Sequence, residues 1–168
     1  MLNLKSCFVA AVCLAISTLA VANTTVKMNF TTENGTGQSA GTIVISETPY
    51  GLLFTPDLHG LTTGSHGLHI HQNPSCDQKG MAAGGHLDPA NTTQHLGPYN
   101  QGHLGDLPAL CVNSNGAANT PILAPRLKHI SEIKNHVIMI HNAGDNYSDT
   151  PEKLGGGGPR MVCGIITG

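Results

Sequence analysis

Six histidines and one aspartate combine the right chemistry with suggestive spacing: His69, His71, His86, His95, His103, His141 and Asp106. His69 and His71 lie two residues apart. In a helix that spacing sends side chains to nearly opposite sides, whereas alternate residues of a strand share a face. The stretch His66-Gly-Leu-His69-Ile-His71 therefore reads as a strand carrying two legs of a metal site. Only 11% of the chain is charged, so general surface polarity does not explain so many imidazoles. Neutral imidazole suits zinc and copper, and an added carboxylate suits zinc. Asp88, the other acid near these histidines, precedes Pro89 and reads as a turn former. His59, His66, His129 and His136 read as surface or hydrogen-bonding residues.

The elements that must position these ligands have a period of two rather than 3.6. Val26 to Thr32 alternates like a strand, and Glu33-Asn34-Gly35-Thr36-Gly37 offers hairpin turn chemistry. Short apolar or β-branched runs follow at Ala40 to Ser46, Leu52 to Thr55, His66 to Gln72 and Leu107 to Asn113. Ala118 to Leu123 extends the series, with Pro121 and Pro125 confining it to an edge or a loop. Ser131 to Lys134 fits one helical turn, before strands at Val137 to His141 and Met161 to Ile166. Two long stretches without periodicity, Gln72 to Asp106 and Asn142 to Pro159, carry most of the candidate ligands. Loops of that length in a compact domain are usually functional or disordered, and this first one is expected to be ordered by metal. The pattern predicts an all-β chain of about eight strands, an antiparallel sandwich or flattened barrel.

Residues 1–22 have the form of a signal peptide. Lys5 supplies the positive start, Cys7 to Leu19 is almost wholly apolar, and Ala20-Val21-Ala22 fits a cleavage box. The apolar run is short for a span of about 20 residues, so no stable membrane anchor is expected. The folded domain is assigned to residues 23–168. Without Lys5, seven basic side chains face ten acidic ones, a formal charge of −3 that offers no basic face to nucleic acid. Three cysteines remain, Cys76, Cys111 and Cys163, and export to an oxidising compartment favours one disulfide. Spacing alone does not choose the pair.

Five fragments, in order, carry a family resemblance: Gly67-Leu68-His69-Ile70-His71, Gly84-Gly85-His86-Leu87-Asp88-Pro89, Gly102-His103-Leu104-Gly105-Asp106-Leu107, Met139-Ile140-His141 and Gly158-Pro159-Arg160-Met161-Val162-Cys163-Gly164. Together they resemble the copper/zinc superoxide dismutases, most closely the bacterial periplasmic branch. The resemblance implies an eight-stranded Greek-key sandwich or flattened barrel with two functional loops, one copper and one zinc per subunit, and superoxide as substrate. It places copper on His69, His71, His86 and His141, and zinc on His86, His95, His103 and Asp106, with His86 bridging. It implies that Asp145 links a copper histidine to a zinc histidine, that Arg160 guides the anion, and that Cys76 pairs with Cys163. Cys111 departs from the pattern and reads as a small buried residue of an apolar strand. A periplasmic location and a possible homodimer also follow from the resemblance. The competing function is a non-catalytic periplasmic copper/zinc carrier on the same fold.

Overall fold

A hairpin and its extension start the sheet, because alternating side chains give each strand one apolar face. The computed structural model describes residues 22–167, so the expected signal peptide, apart from Ala22, lies outside the described residues. Strands β1 (Asn23–Thr32), β2 (Gly35–Thr48) and β3 (Gly51–Leu58) form an antiparallel meander. Val26 and Met28 of β1, Ile43 and Ile45 of β2, and Leu52, Phe54 and Leu58 of β3 point into one apolar core. Phe54 is the one fully buried aromatic among the described residues.

The remaining strands are β4 (Gly64–His66), β5 (Leu68–His71), β6 (Leu110–Val112), β7 (Ile122–Ala124), β8 (Val137–His141) and β9 (Arg160–Ile165). Seven strands form a curled sheet in the order β5-β8-β9-β1-β2-β3-β7, and β4 pairs with β6 separately. The jump that sets β8 between β5 and β9 is the long return connection of a Greek key. The nine segments amount to the eight expected strands, because β4 and β5 are one run broken at Gly67. There the chain leaves the small sheet for the large one: Gly67 N–H donates to Ala143 O at 2.8 Å, and His141 N–H donates to Gly67 O at 2.9 Å. A Cβ at Gly67 would stand 3.0 Å from the His69 ring.

β7 lies at the sheet edge between Pro121 and Pro125, one residue beyond the expected run. The helical turn also forms, as a 3-10 turn at Ile130–Glu132. Cys111 is corrected: it is exposed, not buried. β6 alternates, with Leu110 and Val112 facing inward, so Cys111 on the opposite face meets solvent. No helix among the described residues is long and apolar enough to cross a membrane.

β5 and β8 are buried on both faces. Leu68, Ile70, Ile138 and Ile140 enter the main core, while His69, His71, Val137, Met139 and His141 point the other way, under the first long loop. That loop contains only a 3-10 turn at Met81–Ala83 and is tied to β9 by the Cys76–Cys163 disulfide. The bond spans 87 residues and packs with Ala83, Val137 and Met139 in a second small core. Closing a loop of that size stabilises the fold by about 4–5 kcal/mol in the chain-entropy account. With so few aromatics, the main core leans on Phe54: Phe54→Ala should cost about 3–5 kcal/mol in urea unfolding. A loss below about 1 kcal/mol would contradict this packing.

Candidate metal centre

Six histidine rings converge above β5 and β8 because strand pairing and two loops deliver them to one place. His69 and His71 come from β5, His141 from the end of β8, His86, His95 and His103 from the first loop. The loop is laid against β5 by backbone bonds: Leu87 N–H donates to Ile70 O, and Ile70 N–H to Gly105 O, both at 2.8 Å. These bonds bring His86 across from His71 and Asp106 across from His69. His69, His71, His86, His95, His103, His141 and Asp106 are all buried.

The hydrogen-bond partners fix which ring nitrogens remain available. A carbonyl oxygen only accepts, so His71 Nδ1 donates to Gly84 O at 2.9 Å and His141 Nδ1 donates to Gly158 O at 3.1 Å. Both rings then present bare Nε2 lone pairs, and those two atoms stand 3.4 Å apart. His69 Nε2 donates to Asp145 Oδ2 at 2.8 Å, which leaves its Nδ1 bare. The buried atoms without a hydrogen-bond partner are His69 Nδ1, His86 Nε2, His95 Nδ1, His103 Nδ1 and Asp106 Oδ2. Leaving a buried polar atom unpaired costs roughly 1–3 kcal/mol, so a cluster of them fits a cation.

The donors fall into two overlapping groups, each able to close on one ion: His69, His71, His86 and His141, and His69, His86, His95 and Asp106. His86 belongs to both, and its ring stacks on His69 with centroids 3.9 Å apart. His103 lies just outside the second group, with Nδ1 3.5 Å from Asp106 Oδ1. His95 Nδ1 and Asp106 Oδ2 stand 3.0 Å apart without the alignment of a hydrogen bond. An all-imidazole group suits copper, and imidazoles with a carboxylate suit zinc.

Asp145 joins the two groups. Its Oδ2 takes His69 Nε2–H, its Oδ1 takes His95 Nε2–H at 2.8 Å, and Tyr147 N–H bonds the same Oδ1. Gly155 makes room for this carboxylate: its φ is +75°, and a Cβ there would lie 2.6 Å from Asp145 Cγ and 2.8 Å from His95 Nε2. Asp88 accepts from Thr92 Oγ1 and Thr93 N in a local turn and belongs to neither donor group. Arg160 lies across the strand pair from His141, and its two terminal nitrogens donate to Gly80 O and Gly84 O at 2.6 Å. It borders a cavity of about 500 Å³ shared with His141, Met81, Lys153 and Gly157. Sequence reasoning missed Asp149, whose carboxylate holds His95 N at 2.8 Å and Leu154 N at 3.1 Å. Nothing in an isolated loop aspartate signals that role.

Burial lowers the ring pKa of His69 to about 3 and that of His141 to about 4, and pushes His71 well down; His86 is lowered for the same reason. Burial also acts on His95, but the Asp106 and Asp145 carboxylates outweigh it and raise its pKa to about 9. Burial likewise opposes ionisation of Asp106 and Asp145, and the contacting histidines hold both carboxyls below the ordinary range.

Comparison with known proteins adds an independent line. A family profile described as copper/zinc superoxide dismutase matches residues 39–166. The chain is 56% identical over 167 residues to Cu-Zn superoxide dismutase 1 of Salmonella typhimurium, covering 94% of each chain. The solved structure of the Cu/Zn superoxide dismutase from Brucella abortus superposes with a TM-score of 0.83 at 51% identity, covering 86% of this chain and 99% of that one. The monomeric copper, zinc superoxide dismutase from Salmonella enterica superposes at 0.78 with 54% identity, covering 86% and 99% respectively.

The histidine shifts give the metal-free protein a stability profile with a defined sign. A histidine with a depressed folded pKa takes up fewer protons than its unfolded counterpart, so stability is lost as pH falls below about 6.5. For His69 and His141 the loss continues down to about 3 and 4. His95 acts oppositely: its contribution is present below about 6.5 and lost as pH rises through about 9. Urea midpoints of metal-free protein should therefore fall steadily from pH 6.5 to 4. A flat profile across that interval would contradict neutral burial of the rings.

Proposed function

The chain belongs to the copper/zinc superoxide dismutase family, and from that premise we propose where its two ions sit and which residues serve the reaction. It converts superoxide to oxygen and hydrogen peroxide, and its cofactors are copper and zinc. One copper per subunit is assigned to His69 Nδ1 and to Nε2 of His71, His86 and His141. One zinc would be held by His86, His95, His103 and Asp106, taking the place of the proton that His86 Nδ1 now shares with Asp106 Oδ1 at 2.9 Å. The observation that carries this is the pair of bare Nε2 atoms of His71 and His141, 3.4 Å apart and each backed by a carbonyl at Nδ1. A metal cation between them would relieve that opposition without adding a proton to either buried ring. His69, which falls in both donor groups, is assigned to copper on the family pattern, with His103, whose Nδ1 lies 3.5 Å from Asp106 Oδ1, as the fourth zinc donor.

Bound copper supplies electron exchange by alternating between two oxidation states, and zinc, with a filled d shell, contributes charge and geometry. The protein residues do the rest. His86 would give up both ring protons only where a cation faced each nitrogen, and its buried, unpartnered Nε2 is the ring atom able to hold a proton on the side of His71 and His141. Asp145 fixes the rings of His69 and His95 together, so that neither ion site can reorient alone. Arg160 has spent two of its five N–H donors on the loop carbonyls and borders the cavity beside His141. In an exported chain with a formal charge of −3, attraction of an anion must come from such a local cation. Electrostatic steering is already established for superoxide dismutases as a class, so what is proposed for this chain is the identity of the guiding cation, Arg160.

The proposal extends to export into the periplasm through residues 1–22, in keeping with relatives from Gram-negative bacteria. It also includes the homodimer, for which exposed Tyr99, Leu123 and Tyr147 offer apolar area. A non-catalytic carrier has no need of Arg160 at the cavity, and the curated relatives are named as dismutases.

Substitutions at two residues test these roles. His86→Gln offers only one metal-binding end, so activity should fall far more than copper occupancy; proportional losses would make His86 an ordinary copper ligand. Arg160→Ala should lower the second-order rate with copper content unchanged, Arg160→Glu should lower it further, and Arg160→Lys should keep most of it. Screening over about 10 Å at 0.1 M salt should slow the wild type more than Arg160→Ala. Equal rates and salt slopes would remove Arg160 from the site.

A further inference from the structure

The segment from Asp88 to Leu104 carries two of the proposed zinc ligands, His95 and His103, yet most of its hydrogen bonds are internal. Asn91 N bonds Asp88 O, Thr93 N bonds the Asp88 carboxylate, His103 N bonds Gln94 O and Asn100 Nδ2 bonds Leu96 O. Such bonds shape the segment without fixing its place. Among the described residues, the side chains from outside that bond its backbone are Asp149, on His95 N, and Arg126.

Arg126 donates from one terminal nitrogen to His103 O at 2.8 Å and from the other to Gly102 O at 2.9 Å. A planar guanidinium with two donors in fixed geometry sets both the distance and the orientation of the peptide it grips. The two gripped carbonyls flank the ligand His103, one in the peptide that joins it to Gly102 and the other in the peptide that joins it to Leu104. Gly102 in turn is pressed against the other ligand strand, since a Cβ there would lie 2.8 Å from Leu96 N. Holding Gly102–His103 therefore also holds Gln94–Leu96 and, between them, His95.

The base of Arg126 is rigid. The next residue, Leu127, is fully buried, and its carbonyl accepts Leu52 N–H from β3 at 2.9 Å. Arg126 thus reaches from the fixed sheet, just past β7, to a strap that lacks regular structure. We propose that Arg126 is a positioning residue for the zinc site: it presets the peptide of His103 and, through it, the spacing of His95 and His103 before the ion binds. It touches neither ion nor substrate. The claim rests on the zinc assignment above and adds a residue from a separate connection of the fold.

Outer groups that orient metal ligands typically change metal affinity by 10- to 100-fold when removed. Zinc affinity of wild type, Arg126→Ala, Arg126→Gln and Arg126→Lys would be measured by competition with a chromophoric chelator. Cobalt in the zinc site would report ligand geometry by its visible absorption. Arg126→Ala should bind zinc at least roughly tenfold more weakly, with an altered cobalt spectrum. Arg126→Gln, keeping an N–H donor without the charge, and Arg126→Lys should fall between it and the wild type. Copper affinity and the Cys76–Cys163 bond should stay as in wild type. Unchanged zinc affinity in a folded Arg126→Ala protein overturns the proposal, as does tighter binding, which would mean that repulsion between Arg126 and the ion dominates. An equal loss of copper affinity overturns it too, because the effect would then be general. If Arg126→Ala does not fold, the Gln and Lys variants are judged by the same three criteria. Wild-type protein that fails to bind zinc at all would sink the zinc assignment itself, a result distinct from any difference among variants.

Discussion

Bare nitrogen lone pairs facing one another in a buried space are the constraint on which the rest of this structure depends. His71 and His141 each give their proton-bearing nitrogen to a backbone carbonyl, and their other nitrogens confront each other. In water such atoms would find donors. Here burial removes the water and lowers both ring pKa values, so the facing lone pairs stay unprotonated near neutral pH and open to a cation. His95 is the instructive exception, since two carboxylates outweigh burial and raise its pKa to about 9.

That constraint explains why so much of the chain is committed to holding loops in position. Strand β5 is buried on both faces because its apolar side supports the core and its histidine side needs a lid. The lid is fastened by a disulfide at Cys76, by Arg160 on Gly80 and Gly84, and by Asp145 between the two donor groups. Arg160, besides tying the loop, borders the cavity beside His141. Gly155 leaves space for Asp145, which a side chain would displace.

Much of the architecture was legible in the sequence because period-two patterning is a local property. Val26 and Met28, or Leu68 and Ile70 against His69 and His71, announce their faces directly. The family resemblance named seven donors and Asp145, and the structure places all eight in one buried neighbourhood, with His103 slightly apart. Other features escaped for physical reasons. The break at Gly67 depends on tertiary hydrogen bonds from Ala143 and His141, which leave no trace in a six-residue window. Cys111 was misplaced because its neighbours Leu110 and Val112 suggest burial, whereas in a strand they imply exposure for the residue between them. Asp149 and Arg126 act on backbone atoms, and a backbone partner has no sequence signature.

The central claim is that His86 stands between two different ions. Anomalous diffraction from metal-loaded crystals, collected at the copper and zinc absorption edges, tests it directly. The account predicts one copper peak near His69, His71 and His141 and one zinc peak near His95, His103 and Asp106, on opposite sides of the His86 ring. A single peak, or two peaks of which only one touches His86, would contradict it.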